Sequence, residues 1–115
     1  MKKLQYSPDA LETLHEIKQD ITIRYGAEKA KSVIREMTKA FRDLQQFESK
    51  GPSVENLIRI PCDYRMLYVQ HNYAFYRIEG DVVRITDIFN EREDFIWKLF
   101  GIQTITQESE DYWGE

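Results

Sequence analysis

Two apolar series with a helical step stand back to back, separated by a single glycine. Leu11, Leu14, Ile17, Ile21 and Tyr25 step by three and four residues. After Gly26 the series Ala30, Val33, Ile34, Met37, Phe41 and Leu44 continues at the same period. Each series predicts a helix with one apolar face. Ser7-Pro8-Asp9 marks the first start: a capping hydroxyl, a proline suited to the first turn, and an acid at the positive end of the helix dipole. Gly26 can adopt the left-handed conformation that ends the first helix, and Gly51-Pro52 stops the pattern after Phe47. Two long helices joined at one residue must fold back as an antiparallel hairpin.

The period then shortens to that of strands. Residues 65–70, 73–79 and 82–89 are rich in β-branched and aromatic side chains, with tight turns expected at His71-Asn72 and Gly80-Asp81. Connections this short require antiparallel neighbours. Residues 2–6 alternate weakly, as a short strand would, and residues 94–100 resemble a short helix ended by Gly101. The predicted fold is α+β: an N-terminal antiparallel helical hairpin packed on a small antiparallel β-sheet, with a short C-terminal helix. Residues 1–102 are read as a single domain and 103–115 as an acidic tail, expected to be dispensable for folding.

At 115 residues, with 42% apolar and 31% charged, the chain is globular in composition. It has no apolar run of membrane-spanning length and no apolar core of a signal peptide near Met1, so a cytoplasmic protein without membrane contact is expected. Cys62 is the only cysteine, which excludes an internal disulfide and a cysteine zinc cluster. The net charge is −4. The tail holds Glu108, Glu110, Asp111 and Glu115 and no base, so the remainder is balanced. Any nucleic-acid contact must therefore come from a local patch.

No phosphate loop, paired-histidine zinc motif or nucleophile elbow is present. His15 and His71 read as surface side chains, and neither a metal nor a cofactor is expected. Asp9, Glu12, Glu16 and Asp20 form an acidic stripe on the first helix. Lys31, Arg35, Lys39 and Arg42 form a basic one on the second. They read either as faces that attract each other across the hairpin or as docking strips for a charged partner. Arg65, Arg77 and Arg84 lie on successive strands, Arg92 follows the last, and Tyr64, Tyr68, Tyr73 and Tyr76 are interleaved. Such guanidinium groups beside rings can hold phosphates and stack bases, or can cover a half-solvated sheet face.

Tyr6-Ser7-Pro8-Asp9-Ala10, Phe47 with Gly51-Pro52, Tyr64-Arg65-Met66-Leu67-Tyr68, the run from Phe75 to Ile85 and Phe89-Asn90-Glu91-Arg92-Glu93-Asp94 occur in an order and spacing that resemble the RelE/ParE superfamily of type II toxin–antitoxin toxins. The resemblance covers about residues 3–101. It implies a helical hairpin on a small antiparallel sheet and a cognate antitoxin as partner. It also implies one of two targets: DNA gyrase for ParE-like members, or the ribosome with mRNA for RelE-like members, which are metal-independent endoribonucleases.

By this resemblance Arg65 and Arg92 match basic catalytic positions of the nuclease branch; Arg77 and Tyr73, among the guanidinium groups and rings interleaved on the sheet, are candidates for RNA contact on their chemistry. Leu67 stands where that branch carries a second basic residue, Tyr73 where it carries an arginine, and Asn90 where it often carries a histidine. The long hairpin and the incomplete cationic set point to the ParE-like branch, a growth-inhibiting topoisomerase poison neutralised by its antitoxin. The alternatives are a mRNA endonuclease with a reduced active site, or a decayed toxin that keeps only antitoxin binding.

Overall fold

A computed structural model describes residues 1–101 of the chain. The elements are β1 (Lys3–Tyr6), α1 (Pro8–Tyr25), α2 (Ala27–Asp43), α3 (Val54–Ile58), β2 (Arg65–Val69), β3 (Asn72–Glu79), β4 (Val82–Asn90) and α4 (Phe95–Phe100). The expectations for the acidic tail lie outside the described residues.

The hairpin forms as its sequence dictates. Ser7 has extended backbone, and its Oγ accepts from the Ala10 N–H at 3.0 Å. Gly26, at φ 97°, closes α1 by donating to the Thr22 carbonyl and opens α2 by accepting from the Ala30 N–H. The two helices are unequally buried. On α2, Ala30, Val33, Met37 and Phe41 are buried, as is Leu44 at its C-cap. On α1 only Ala10 is, while Leu14, Ile17 and Ile21 are half-buried and Leu11 and Tyr25 are exposed. The core lies between α2 and one sheet face, where Ala74, Tyr76, Val83, Ile85 and Ile88 meet the α2 residues.

The sheet runs in the order β1-β4-β3-β2. β2, β3 and β4 are antiparallel as expected. β1 departs from an all-antiparallel sheet: it pairs parallel to β4, Lys3 against Val82 through Tyr6 against Ile85. Short turns constrain only consecutive strands. β1 reaches its neighbour after the whole hairpin has intervened, so no turn sets its direction.

Two local features also differ from strict alternation. Phe75 pairs with Asp87 and Tyr76 with Ile85, which leaves Thr86 as an extra residue in β4. The bulge reverses the parity of the strand, so Val83, Ile85 and then Ile88 all face the hairpin. It is tied to the start of α1: the Ser7 Oγ–H donates to the Thr86 carbonyl at 2.5 Å and the Ser7 N–H to the Ile85 carbonyl at 2.8 Å. The β2–β3 turn sits one residue earlier than expected. Val69 pairs with Asn72, and Gln70 and His71 occupy the turn at φ 48° and 63°.

Two left-handed non-glycine residues cost about 1 kcal/mol or more each. Replacing the pair with Asn-Gly, the preferred composition for this turn, is expected to raise the melting temperature by about 4–8 °C, corresponding to about 1 kcal/mol. Thermal unfolding of Gln70→Asn, His71→Gly measures this directly, and an unchanged melting temperature would mean that the turn is not strained.

α3 was not anticipated. Its five residues are too few to show a period, and they follow the Gly51-Pro52 breaker directly. Ser53 caps it, accepting from the Asn56 N–H at 3.4 Å, Val54 anchors it in the interior, and Arg59 ends it at φ 61°.

Candidate functional site

Alternation distributes the sequence candidates over two faces of the sheet. Leu67 and Val69 pack against the core cluster, so Arg65 shares the face toward the hairpin. Tyr73 and Arg77 lie on the opposite face with Phe75.

That second face is an aromatic layer covered by α4. Tyr73 lies between Tyr68 and Phe95, with ring centroids 5.3 and 5.4 Å away. Phe75 meets Phe95 at 5.2 Å and Phe89 at 5.8 Å, and Tyr64 contacts both Phe75 and Phe100 at 6.1 Å. Arg77 sits 4.2 Å above the Tyr64 ring and donates through Nε to the Asp63 Oδ1 at 2.8 Å. Burial pushes the Tyr64 hydroxyl pKa up, and the Arg77 charge pulls it partly back. The Tyr73 ring is thus packed on two sides, and the Arg77 guanidinium already has a ring and a carboxylate.

Arg65 is also engaged. Its Nε donates to the Gly51 carbonyl at 2.7 Å and its Nη2 to the Ser49 carbonyl at 3.2 Å. Beside it the buried Tyr76 hydroxyl donates to the Glu48 carbonyl at 2.7 Å and accepts from the Gly51 N–H at 3.0 Å. Burial raises the Tyr76 pKa, and the Gly51 and Arg65 donors offset this in part. Together these bonds hold the 48–51 loop against the start of β2.

Arg92 stands elsewhere, at the far end of β4. Arg65 is level with Tyr76 and Ile85, whereas the end of β4, Asn90, is level with Asn72. Four residues along β3 separate those levels by about 13 Å. Arg92 is exposed and its backbone N–H donates to the Asn90 Oδ1 at 3.0 Å. Its neighbours form a group that the sequence did not suggest. Glu91 accepts from the Tyr68 hydroxyl at 2.5 Å and lies 3.1 Å from the His71 Nδ1. The Tyr68 hydrogen bond, followed by the charges of His71 and Arg92, holds the Glu91 carboxyl below its ordinary value. The same bond raises the Tyr68 pKa. The signal was present in the register: a turn at 70–71 necessarily faces the residues just after β4.

Arg92, His71 and Glu91 line one wall of a groove of about 810 Å³ whose other wall is α1, with Glu16, Ile17, Asp20 and Ile21. Among the described residues no group of histidine, cysteine, aspartate or glutamate has the arrangement of a metal site.

These placements predict opposite outcomes for the two candidate catalytic arginines. Arg65→Ala removes two hydrogen bonds from a charged donor to the backbone and is expected to cost about 1.5–3 kcal/mol of stability. Arg92→Ala is expected to stay within about 0.5 kcal/mol of the parent. Urea unfolding of both variants is the check, and equal midpoints would contradict the loop-holding role of Arg65.

The charged stripes do not pair. Asp9 with Arg42, Glu12 with Lys39, Glu16 with Arg35 and Asp20 with Lys31 stand at matching distances from the Gly26 bend. Yet among the described residues no ion pair within 4.0 Å joins α1 to α2; the one pair on the hairpin is Asp20–Arg24 within α1. The α1 acids instead line grooves shared with residues 87–93 and Lys98.

No match to this chain was found among curated proteins. A solved structure described as a chromosomal ParDE TA system from P. aeruginosa matches with a TM-score of 0.66 and 23% identity, covering 78% of this chain and 96% of that one. At that identity the likeness bears on the fold, and the hairpin-on-sheet architecture agrees. A family model described as the ParE toxin of the type II toxin-antitoxin system parDE matches residues 4–95, well over half of the chain. The match spans the hairpin, the whole sheet and the start of α4, and on it the chain belongs to the ParE toxin family of type II toxin–antitoxin systems.

Proposed function

We propose that this toxin arrests growth by acting on DNA gyrase in the cytoplasm, rather than by cutting mRNA at the ribosome. Membership of the ParE family brings a cognate antitoxin as partner. The observation that carries the choice of target is the separation of the cationic residues. Cleavage at a 2′-hydroxyl needs a base, an acid and charge stabilisation around one phosphate. Arg65 is committed to the 49–51 carbonyls, Arg77 to Asp63 and Tyr64, and Arg92 follows Asn90, whose level on the sheet is about 13 Å from that of Arg65. Should cleavage occur at all, Arg92, beside Tyr68, His71 and Glu91, is the candidate for contact with RNA. Arg65, Arg77 and Tyr73 would have to leave their present partners first.

Induced expression in a bacterium tests this reading. Growth arrest with DNA damage and intact mRNA is expected, and co-expression of the antitoxin should restore growth. Arrest accompanied by ribosome-dependent mRNA cleavage would reverse the assignment. Absence of any arrest would leave a chain that retains only antitoxin binding.

A further inference from the structure

The basic stripe on α2 has no counterpart inside the described fold. Lys31, Arg35, Lys39 and Arg42 recur once per turn, all four are exposed, and they lie on the side of the helix opposite Val33, Met37 and Phe41. Their span is about 16 Å. Three carboxylates, Glu28, Glu36 and Asp43, share the helix, but among the described residues none lies within 4.0 Å of these cations. The acids level with them on α1 line grooves shared with residues 87–93 and Lys98, and among the described residues none forms an ion pair with the stripe. Four unpaired cations in a straight solvent-facing line form a rail for a regularly charged polyanion. The net charge of −4 does not by itself oppose such a rail: the four carboxylates in excess belong to residues 103–115, and over residues 1–102 acids and bases balance.

We infer that the outer face of α2 is a docking surface for the phosphate backbone of duplex DNA, bound without regard to sequence. Charge complementarity selects this occupant. The cations are in line, and the duplex presents phosphates continuously along its length. The stripe offers no apolar anchor of the kind a protein partner would use. The inference goes beyond the proposed action on gyrase and does not depend on it, since the rail can be tested with DNA alone. If both hold, the toxin would touch the DNA that the topoisomerase carries.

The test is fluorescence anisotropy of a labelled 20-base-pair duplex of arbitrary sequence with the full chain, in the absence of any topoisomerase, from 50 to 200 mM salt. Binding is expected at low salt and should weaken about a hundredfold across the range, a logarithmic slope of about −3 to −4 for four phosphate contacts. Arg35→Gln, Lys39→Gln should roughly halve that slope. Arg35→Lys, Arg42→Lys, which keeps the charges, should leave it nearly unchanged. Circular dichroism of each variant establishes that the fold is retained. Three results would overturn the inference: no binding at 50 mM salt, a slope indifferent to the glutamine substitutions, or tighter binding of a poly-glutamate peptide than of the duplex. The last would assign the surface to an acidic protein. Because growth arrest and DNA damage in cells are read separately, failure here would leave the gyrase reading standing.

Discussion

Phe41→Ala should be the most damaging single truncation in the hairpin, costing about 3–5 kcal/mol. Phe41 is completely buried, and its ring meets Tyr6 edge-on at 5.9 Å. It therefore joins the longest apolar stripe of the chain to the one strand that no turn positions. Removing it leaves a cavity under β1 and deprives Tyr6 of its partner. For a domain of this size the melting temperature should fall by roughly 15 °C or more. Hydrogen exchange should show the β1 amides losing protection before those of β3. A loss below about 1 kcal/mol, or uniform loss of protection, would show that β1 does not depend on this contact.

Gly51→Ala should be nearly as costly, for a reason that no contact of the glycine itself reveals. A β-carbon at residue 51 would stand 2.5 Å from the Met66 carbonyl oxygen, 2.8 Å from the Tyr76 hydroxyl oxygen and 2.9 Å from the Tyr76 Cε1. The backbone cannot withdraw freely, because the Gly51 N–H is bound to Tyr76 and its carbonyl to Arg65. Overpacking at such a place costs about 2–3 kcal/mol. Tyr76→Phe removes one of the atoms in the way along with two hydrogen bonds. The double variant is therefore expected to lose less than the sum of the two single losses, by about 0.5 kcal/mol or more. Additive urea midpoints would mean that the Met66 carbonyl and the ring carbon Cε1, which the phenylalanine keeps, create the obstruction. This network also changes how activity data on Arg65 must be read: an inactive Arg65→Ala is expected from the loosened 48–51 loop, without any part in chemistry.

The helical hairpin, its cap at Ser7, its bend at Gly26, the three antiparallel strands and the short last helix were legible in the residues alone. Each is a local matter, decided by a period of side chains over consecutive residues or by the backbone freedom of one glycine. The family was legible for the same reason, since its pattern is an order of such local pieces. The direction of β1, whose neighbour is almost eighty residues away, emerged only with the packed fold. The bulge at Thr86 was likewise hidden, because it depends on where Phe75 and the start of α1 press on β4. α3 is too short to have a period at all. The arginines were visible as residue types, but their roles were not. Alternation correctly put Arg65 with Leu67 and Arg77 with Phe75, yet it could not say that a loop of carbonyls would occupy the first guanidinium and Asp63 and Tyr64 the second. The α1 and α2 stripes carry the same lesson. Their charges match in number and level, but whether opposite charges meet depends on how each helix is rotated about its axis. That rotation is set by the side chains each helix buries, Met37 and Phe41 on α2 and Ala10 on α1, and not by the charges themselves.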